Sequence, residues 1–227
     1  PSSLQIGEIQ GKSVAFLLRH DVGHSIPPHK VNYRANICAL REIGVERIIA
    51  TNAVGAINLD FKPGDSVVPH DLIDFTKRRY LTFYDEAPVT HIDFSQPYCP
   101  EIRKVLIAKS KEITERVLDS AVHVCTDGPR YETPAEIHMF RKLGGDIVGM
   151  TGIPEAVLAR ELEICYATLC FVSNMAAGVQ PKLTTREVME VSKSVMPKIQ
   201  QTIVEVIRDL PRVRQCPCPG SLKEARV

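Results

Sequence analysis

Five polar side chains have the types and spacing that could support chemistry. Arg19 offers a planar fork of donors to an oxyanion, and Thr151 has a hydroxyl and a backbone N–H near a predicted helix start. Tyr131 can cover a flat ring. Glu132 and Asn174 provide carboxylate and amide groups that could bind the polar edge of a base. Together they favour a site for an anion and an aromatic ring.

These side chains lie in four of five polar segments that each come directly after a predicted strand. The segments are 19–20, 52–55, 127–132, 149–152 and 173–178. In open α/β sheets ligands bind at the carboxyl ends of strands, so five such ends could converge on one pocket. Each segment alone also fits ordinary turn chemistry, including Asn174 as a turn-forming residue. Five together favour a ligand site.

Several other kinds of catalytic site are not indicated. The sequence lacks a Walker loop, a G-x-G-x-x-G turn, a G-x-S-x-G elbow and an H-E-x-x-H pair. His20 and His24 have a spacing that suits a metal on a helix, but the glycine and prolines around them predict a loop. The carboxylates are scattered and do not support a glycoside-hydrolase pair. We expect neither a metal nor an organic cofactor.

Alternating strand and helix patterns surround these segments and predict an α/β fold. Strands are predicted at 14–18, 45–51, 66–75, 121–126 and 165–172 and through Ile147, and helices at 30–43, 100–116, 133–144, 154–161 and 184–206. Capping boxes at Thr133/Glu136 and Thr184/Glu187 mark two helix starts, and Pro197 should kink the last helix. We expect one domain over 1–227, with a mixed central sheet flanked by helices and an irregular tail at 210–227.

Composition excludes several classes of protein. The 227 residues are 44% hydrophobic and 24% charged, with a net formal charge of +1. This balance is ordinary for a globular enzyme and argues against a basic nucleic-acid-binding surface. No apolar run reaches the roughly 18 residues of a membrane helix. We expect no nucleic-acid partner and no membrane segment.

The sequence has seven cysteines, which is an odd number, and most of them lie in apolar segments. This distribution favours buried thiols in a reducing cytoplasm. Cys216 and Cys218 differ, since they form a Cys-x-Cys pair in the tail. They could be exposed thiols on a frayed end, a local disulfide, or partners for another cysteine. A redox or metal protein centred on this pair is a rival interpretation, and it would require metal or disulfide retention that tracks activity.

The ordered motifs resemble the trimeric purine nucleoside phosphorylase and methylthioadenosine phosphorylase family. The resemblance rests on Arg19-His20, Pro28-x-Lys30-Val31-Asn32-Tyr33-x-Ala35-Asn36, Asn52-Ala53-Val54-Gly55, His91-Ile92-Asp93, Gly128-Pro129-Arg130-Tyr131-Glu132-Thr133-x-Ala135-Glu136 and Gly149-Met150-Thr151-Gly152-x-Pro154-Glu155. Within the family the likeness is greatest to the methylthioinosine phosphorylases, and the tail is similar to archaeal members. The resemblance implies the nucleoside phosphorylase fold and a homotrimer, or a dimer of trimers.

The resemblance also implies phosphorolysis of a purine nucleoside, with inorganic phosphate as co-substrate. It assigns phosphate contacts to Arg19, His20, Ala53 and Thr151. It assigns nucleoside contacts to Asn52, Val54, Gly55, Tyr131, Met150 and Ala176, and catalytic roles to Asn174, Glu132 and His91. His91 would reach from one subunit into its neighbour's pocket at the 5′ end of the sugar.

Substrate choice follows from two of these positions. In this family Glu and Asn at the base-binding positions accompany 6-oxopurines, whereas Ser and Asp accompany adenine. The chain has Glu132 and Asn174, and the segments at 91–93 and 97–100 resemble the methylthio-nucleoside branch. Methylthioinosine is therefore the expected substrate, with inosine or guanosine possible and methylthioadenosine as an alternative.

One departure from the family supports a rival of another class. Nothing before Val14 matches the family's first strand and its glycine-rich, hydroxyl-bearing phosphate turn. Either that turn lies outside the sequence given or one phosphate contact is missing. The rival is a catalytically impaired nucleoside-binding protein.

Overall fold

A computed structural model describes residues 2–227 as an α/β domain whose nine strands form two sheets. The strands are β1 (Leu4–Ile9), β2 (Lys12–Leu17), β3 (Arg47–Ala56), β4 (Ser66–Val67), β5 (Asp71–Asp74), β6 (Val117–Leu118), β7 (Val122–Cys125), β8 (Ile147–Gly149) and β9 (Cys165–Met175). The helices are α1 (Tyr33–Glu42), α2 (Pro100–Ile113), α3 (Pro134–Lys142), α4 (Gly152–Glu161) and α5 (Thr185–Asp209). The predicted alternation and the mixed sheet flanked by helices are confirmed.

Seven strands form the main sheet in the order β5-β7-β8-β3-β9-β4-β6. The long central pair, β3 and β9, is parallel, whereas β8 and β4 run antiparallel to their neighbours in that pair. On its β8 side, β3 is paired within the described residues only at Gly55 and Ala56. The remaining edge of β3 is therefore available to side chains from other elements.

Strand β9 lies at the centre of the core, and alternate side chains pack on opposite layers. Leu169 and Phe171 join a cluster with α2 and α5, which contribute residues such as Ile102 and Ile199. Tyr166 joins the cluster formed by α1 and α4 on the other face. The period of two in a strand thus places a fully buried strand between two helical layers.

Side-chain caps begin three of the helices, α1, α3 and α5. Thr133 and Glu136 form the predicted capping box at α3. At α5, Thr184 Oγ1 accepts from the Glu187 N–H at 3.2 Å, but the Glu187 carboxylate accepts from Gln180 Nε2 at 2.8 Å. The second predicted box is therefore only half formed. Helix α5 continues past Pro197, and the predicted kink stays a prediction.

The predicted strand at 14–18 is confirmed over residues 14–17, but the prediction that it is buried is wrong. This segment forms most of β2, which pairs antiparallel with β1 in a separate two-stranded sheet. Leu17 packs against the α1–α4 cluster, whereas Phe16 and Leu18 are exposed. A run of apolar residues does not specify whether one face of a strand or both will be covered, and here one face remains open.

The C-terminal segment 210–227 is irregular, as predicted, but it is docked on the domain. It contains a single 3₁₀ turn at Cys218–Gly220, and Cys218 and Ala225 are buried. Arg226 forms an isolated bridge with Thr90. Among residues 2–227, none of the helices combines the length and apolarity needed to cross a bilayer.

Candidate active site

Asn52 lies at the centre of a buried hydrogen-bond network on β3. Its Nδ2 donates to Thr168 Oγ1 on β9 at 2.6 Å, and its Oδ1 accepts from Thr151 Oγ1 at 2.8 Å. All three residues are buried. Both ends of the Asn52 amide are satisfied, so its orientation is set by two strands and by the start of α4.

Arg19 reaches the same strand from the end of β2. Its Nη1 donates to the Thr51 carbonyl at 2.9 Å, and its Nε and Nη2 donate to the two Glu155 carboxylate oxygens at 2.6 and 2.7 Å. Burial acts to lower the pKa of Arg19, but the Glu155 carboxylate outweighs it and raises the pKa above its usual value. Three of five donor hydrogens are used, which leaves two for another acceptor.

The buried Glu155 carboxylate has a second partner, the Tyr166 hydroxyl on β9, which donates to Oε2 at 2.9 Å. The sequence motif contains Glu155 but assigns it no role, and sequence patterns do not point to Tyr166 or Thr168. A charged residue inside the apolar run at 152–159 is the signal that could have found Glu155, since a buried charge requires a partner.

Thr151 directly precedes α4 and brings a helix N-terminus to this place. Its hydroxyl donates to Asn52 and makes no capping bond to α4. The first N–H groups of a helix lack intrahelical acceptors and carry partial positive charge. Arg19 and the start of α4 therefore both meet β3 near its midpoint, and together they can hold an anion.

His20 is half-buried beside this cluster. Its Nδ1 lies 2.7 Å from the Ile26 carbonyl, and its ring stacks on His24 with centroids 4.1 Å apart. Burial lowers the pKa of His20 below its usual value. Ring nitrogens bind metal in the ring plane, so two stacked rings do not converge on one ion. His20 Nε2 is the nitrogen left for a ligand.

Asn174 lies on β9 opposite Gly55 of β3, where the register shifts. Its Oδ1 accepts from Ser173 Oγ at 2.7 Å, and its Nδ2 donates to the Met175 carbonyl at 2.9 Å. A Cβ at Gly55 would lie 3.3 Å from Asn174 Nδ2, so glycine provides the space for this amide. One of its two amide hydrogens remains for a ligand.

Glu132 follows β7 and is oriented by one hydrogen bond. Its Oε1 accepts from Thr126 Oγ1 at 2.7 Å, which leaves the second oxygen for a ligand. Burial raises the pKa of Glu132 above its usual value. Tyr131 beside it is exposed, and Met150 packs over Gly128 so closely that a Cβ there would lie 2.5 Å from the Met150 sulfur.

A tight contact joins the Glu132 segment to the Asn174 segment. Gly178 has a φ of +78°, and a Cβ there would lie 2.7 Å from Pro134 Cβ at the start of α3. The loop after β9 thus packs directly on the helix that follows Glu132. This contact joins the two segments that carry the base-binding candidates.

The other expected site residues lie in different surroundings. Val54 and Ala176 are buried, and their side chains belong to core clusters. Ala53 is exposed on β3 between two buried residues. His91 is exposed, and its backbone N–H donates to the Ala225 carbonyl at 2.7 Å. For Val54 and Ala176 the backbone is the part left to contact a ligand.

The expectation that five turns follow five strands of one sheet needs three corrections. Segment 52–55 and residues 173–175 lie inside β3 and β9, because the strands extend beyond the apolar runs that predicted them. Segment 19–20 follows the separate hairpin. In addition, β8 runs antiparallel to β3, so Thr151 meets the middle of β3 and not its carboxyl end.

His123 is a buried histidine near this site that no sequence pattern singles out. It is fully buried on β7, and neither ring nitrogen has a partner among the described residues. Burial lowers its pKa to about 4. A Cβ at Gly149 would lie 2.7 Å from His123 Nε2, and one at Gly152 would lie 3.4 Å from its Cε1. Glycines at both positions therefore make room for the ring.

A groove of about 920 Å³ runs between the β1–β2 hairpin, the first half of β3 and α5. Arg19, Thr51 and Glu155 form part of its lining, whereas Tyr131 and Glu132 do not. The groove therefore adjoins the anion-binding end of the candidate site and is separate from its base-binding end.

Comparisons with known proteins show which family the chain belongs to. The sequence pattern of the phosphorylase superfamily matches residues 2–208. The chain is 52% identical over 226 residues to the probable S-methyl-5′-thioinosine phosphorylase of Methanopyrus kandleri, covering 99% of this chain and 88% of that protein. It is 52% identical over 230 residues to the 6-oxopurine nucleoside phosphorylase of Pyrococcus furiosus, covering 98% and 87%.

Solved structures give the same result for the fold. A methylthioadenosine phosphorylase from an antarctic soil metagenomic library superposes with a TM-score of 0.91 at 35% identity, covering 99% of this chain and 80% of that one. The methylthioadenosine phosphorylase of Schistosoma mansoni in complex with adenine superposes with a TM-score of 0.92 at 29% identity, covering 98% and 87%.

Proposed function

This chain belongs to the phosphorylase superfamily, and from that premise we propose that it cleaves 6-oxopurine nucleosides with inorganic phosphate. The leading substrate is S-methyl-5′-thioinosine. Phosphate adds to the anomeric carbon as the bond to the purine breaks, which yields hypoxanthine and 5-methylthioribose 1-phosphate. Relatives named for methylthioinosine and for 6-oxopurine nucleosides, each 52% identical to this chain, support the proposal.

The presence of both Glu132 and Asn174 at the base-binding positions is the observation that supports the substrate choice. Glu132 has one carboxylate oxygen free of Thr126, and it can accept from the N1–H that hypoxanthine has and adenine lacks. Asn174 has one amide hydrogen free of Met175, and it can donate to O6 or N7. Adenine would place its acceptor N1 where Glu132 needs a donor, and such a mismatch of polar groups strongly disfavours the wrong base.

In the proposed mechanism the phosphate dianion is held beside the sugar. Arg19 contributes its two remaining donor hydrogens, and α4 contributes its uncapped N-terminus next to Thr151. Departure of the purine makes the sugar oxocarbenium-like, so a fixed dianion stabilises the developing positive charge. Fixing the phosphate also makes the attack an oriented event within one complex.

The same step develops negative charge on the purine. Asn174 is already oriented by Ser173 and Met175, so its free hydrogen needs no reorganisation to stabilise the leaving base. Glu132 must be ionised to accept from N1–H. Because burial raises the pKa of Glu132, the activity should decrease on acidification at a higher pH than an ordinary glutamate would give.

We further propose that the protein is a homotrimer and that it acts in the cytoplasm. A homotrimer would let the exposed His91 contact the 5′ end of a nucleoside in the neighbouring subunit. The dispersed cysteines favour the cytoplasm, where such an enzyme would take part in purine and methylthio-nucleoside salvage. The mass of the protein in solution, measured by light scattering, tests the trimer.

Steady-state phosphorolysis of methylthioinosine, inosine and methylthioadenosine by the purified chain tests the function. We expect kcat/KM for methylthioinosine to exceed that for methylthioadenosine by about 10³-fold or more. A preference for methylthioadenosine would contradict the role of Glu132 and Asn174 and would favour the rival suggested by the names of the solved structures.

A second candidate, a nucleoside-binding protein without catalysis, is favoured by one observation. Glu155 and Thr51 already take three of the Arg19 donors, which reduces what Arg19 offers to phosphate. Base release that depends on phosphate or arsenate would exclude this candidate. Nucleoside binding in calorimetry with no base release at saturating phosphate would establish it.

A further inference from the structure

Four cysteines from three separate parts of the chain meet at one place. Cys99, Cys165, Cys216 and Cys218 place their sulfur atoms within 4.8 Å of one another. The Cys165 and Cys216 sulfurs are 3.3 Å apart, and all four cysteines are free thiols. Three of the four are buried, and Cys216 is half-buried.

We propose that these four cysteines form a tetrathiolate site for a structural Zn²⁺ ion. Four sulfurs around zinc, each about 2.3 Å from the metal, are separated by about 3.8 Å, which is close to the spacing found here. Sulfur-only tetrahedral sites select zinc or iron among common metals. On binding, zinc forms four Zn–S bonds and the displaced thiol protons pass to solvent.

The fold assembles this cluster without relying on the sulfurs. Cys165 begins β9, and Cys99 directly precedes α2, where a helix N-terminus stabilises a thiolate. The tail is docked beside them because the Gln215 N–H donates to Glu101 of α2 at 2.8 Å. Ser221 Oγ also donates to the Arg160 carbonyl at 2.6 Å. These contacts place the two tail thiols against the other two.

Sulfur contacts and burial also explain why the cluster would take up a cation. Several thiolates this close repel one another in a buried place, and a divalent cation removes that repulsion. Four thiolates at this spacing are therefore unfavourable without a metal ion and are stabilised when one is bound.

The zinc site would stabilise the fold and would take no part in the reaction. Asn174 lies nine residues along β9 from Cys165, which is about 30 Å in an extended strand. The zinc would instead hold the tail on the domain. That tail contacts the His91 segment, through the Ala225 carbonyl and the Thr90–Arg226 bridge, so the ion would also stabilise that segment.

Metal analysis of the wild-type protein, purified in the presence of a reductant, tests the proposal. We expect one zinc per chain, and Co²⁺ in its place should give the intense absorption of tetrahedral thiolate coordination. The Cys216→Ser/Cys218→Ser double variant should retain none. Cys38→Ser, at an exposed cysteine outside the cluster, should retain one zinc. A strong chelator should lower the unfolding midpoint of the wild type by about 10 °C and leave the double variant unchanged.

Counting thiols in the denatured protein with chelator distinguishes zinc from disulfides. All seven cysteines should react if zinc is the ligand, whereas two disulfides among the four would leave three reactive thiols and overturn the proposal. Iron in place of zinc would overturn the assignment of the metal. Seven reactive thiols, with no uptake of one equivalent of added Zn²⁺ or Co²⁺ at micromolar concentration, would overturn the site.

Discussion

The guanidinium of Arg19 and the carboxylate of Glu155 form a two-bond ion pair, with Nε–Oε1 and Nη2–Oε2 distances of 2.6 and 2.7 Å. The two side chains are mostly buried and lie 136 residues apart in sequence. A paired, buried arginine is held in one orientation, so its two free donors point in a fixed direction. The pair therefore links the β1–β2 hairpin to the anion-binding end of the site.

Glu155→Gln should destabilise the protein by about 3 kcal/mol, because it leaves a buried guanidinium without its counter-charge. It should also raise KM for phosphate about tenfold, equivalent to about 1.4 kcal/mol of lost positioning. Urea unfolding and phosphate kinetics measure the two effects. Glu190→Gln, which breaks the exposed Arg186–Glu190 pair, should change stability by less than about 1 kcal/mol. Equal effects of the two variants would contradict the role of Glu155.

Thr151→Val should raise KM for phosphate about tenfold and cost about 1–3 kcal/mol of stability. It removes the hydroxyl that donates to Asn52 Oδ1 and leaves a buried acceptor unpaired. Thr151→Ser keeps the hydroxyl and should behave like the wild type. Thr168→Val removes the other partner of Asn52 and should affect stability alone. If Thr151→Val and Thr168→Val have the same phosphate KM, Thr151 is only structural.

Asn174→Asp should lower the ratio of kcat/KM for methylthioinosine to that for methylthioadenosine by at least about tenfold. A carboxylate accepts from a 6-amino group but cannot donate to O6, while it can still accept from Ser173 Oγ. Asn32→Asp makes the same chemical change at the N-cap of α1, where either residue accepts from the Ala35 N–H. An unchanged ratio for Asn174→Asp would remove this residue from base selection.

The buried His123 should make the protein less stable in acid. Its pKa is lowered to about 4, below the ordinary 6.5, so the unfolded chain binds a proton that the folded chain excludes. Stability should fall as the pH drops from about 6.5 to about 4, by about 3 kcal/mol in total. His123→Gln should remove this part of the dependence in urea unfolding at several pH values. The exposed His138→Gln should not, and a pH dependence shared by wild type and His123→Gln would refute the argument.

Local patterns determined a large part of the fold. The capping box at Thr133 and Glu136 predicted the start of α3, because its atoms all lie within one turn of helix. The alternation of apolar segments predicted the α/β class and the central strands. The ordered motifs predicted the family, since they specify residue types at fixed positions along the chain.

Tertiary structure decided what those segments contact. An apolar run at 14–18 predicts a strand, but only packing shows that β2 belongs to a hairpin with one open face. The ends of β3 and β9 extend past their apolar runs because each pairs with the other, so Asn174 is a strand residue and not a turn residue. Strand length depended on a partner more than 100 residues away.

The same distinction holds for the charged and sulfur-bearing residues. The sequence by itself determined that Arg19 could bind an anion and that Cys216 and Cys218 form a pair in the tail. Only the tertiary structure decided that Glu155 holds Arg19 and that Cys99 and Cys165 meet the tail thiols. Residue type and short-range spacing set what a side chain can do, whereas long-range packing sets which partners surround it.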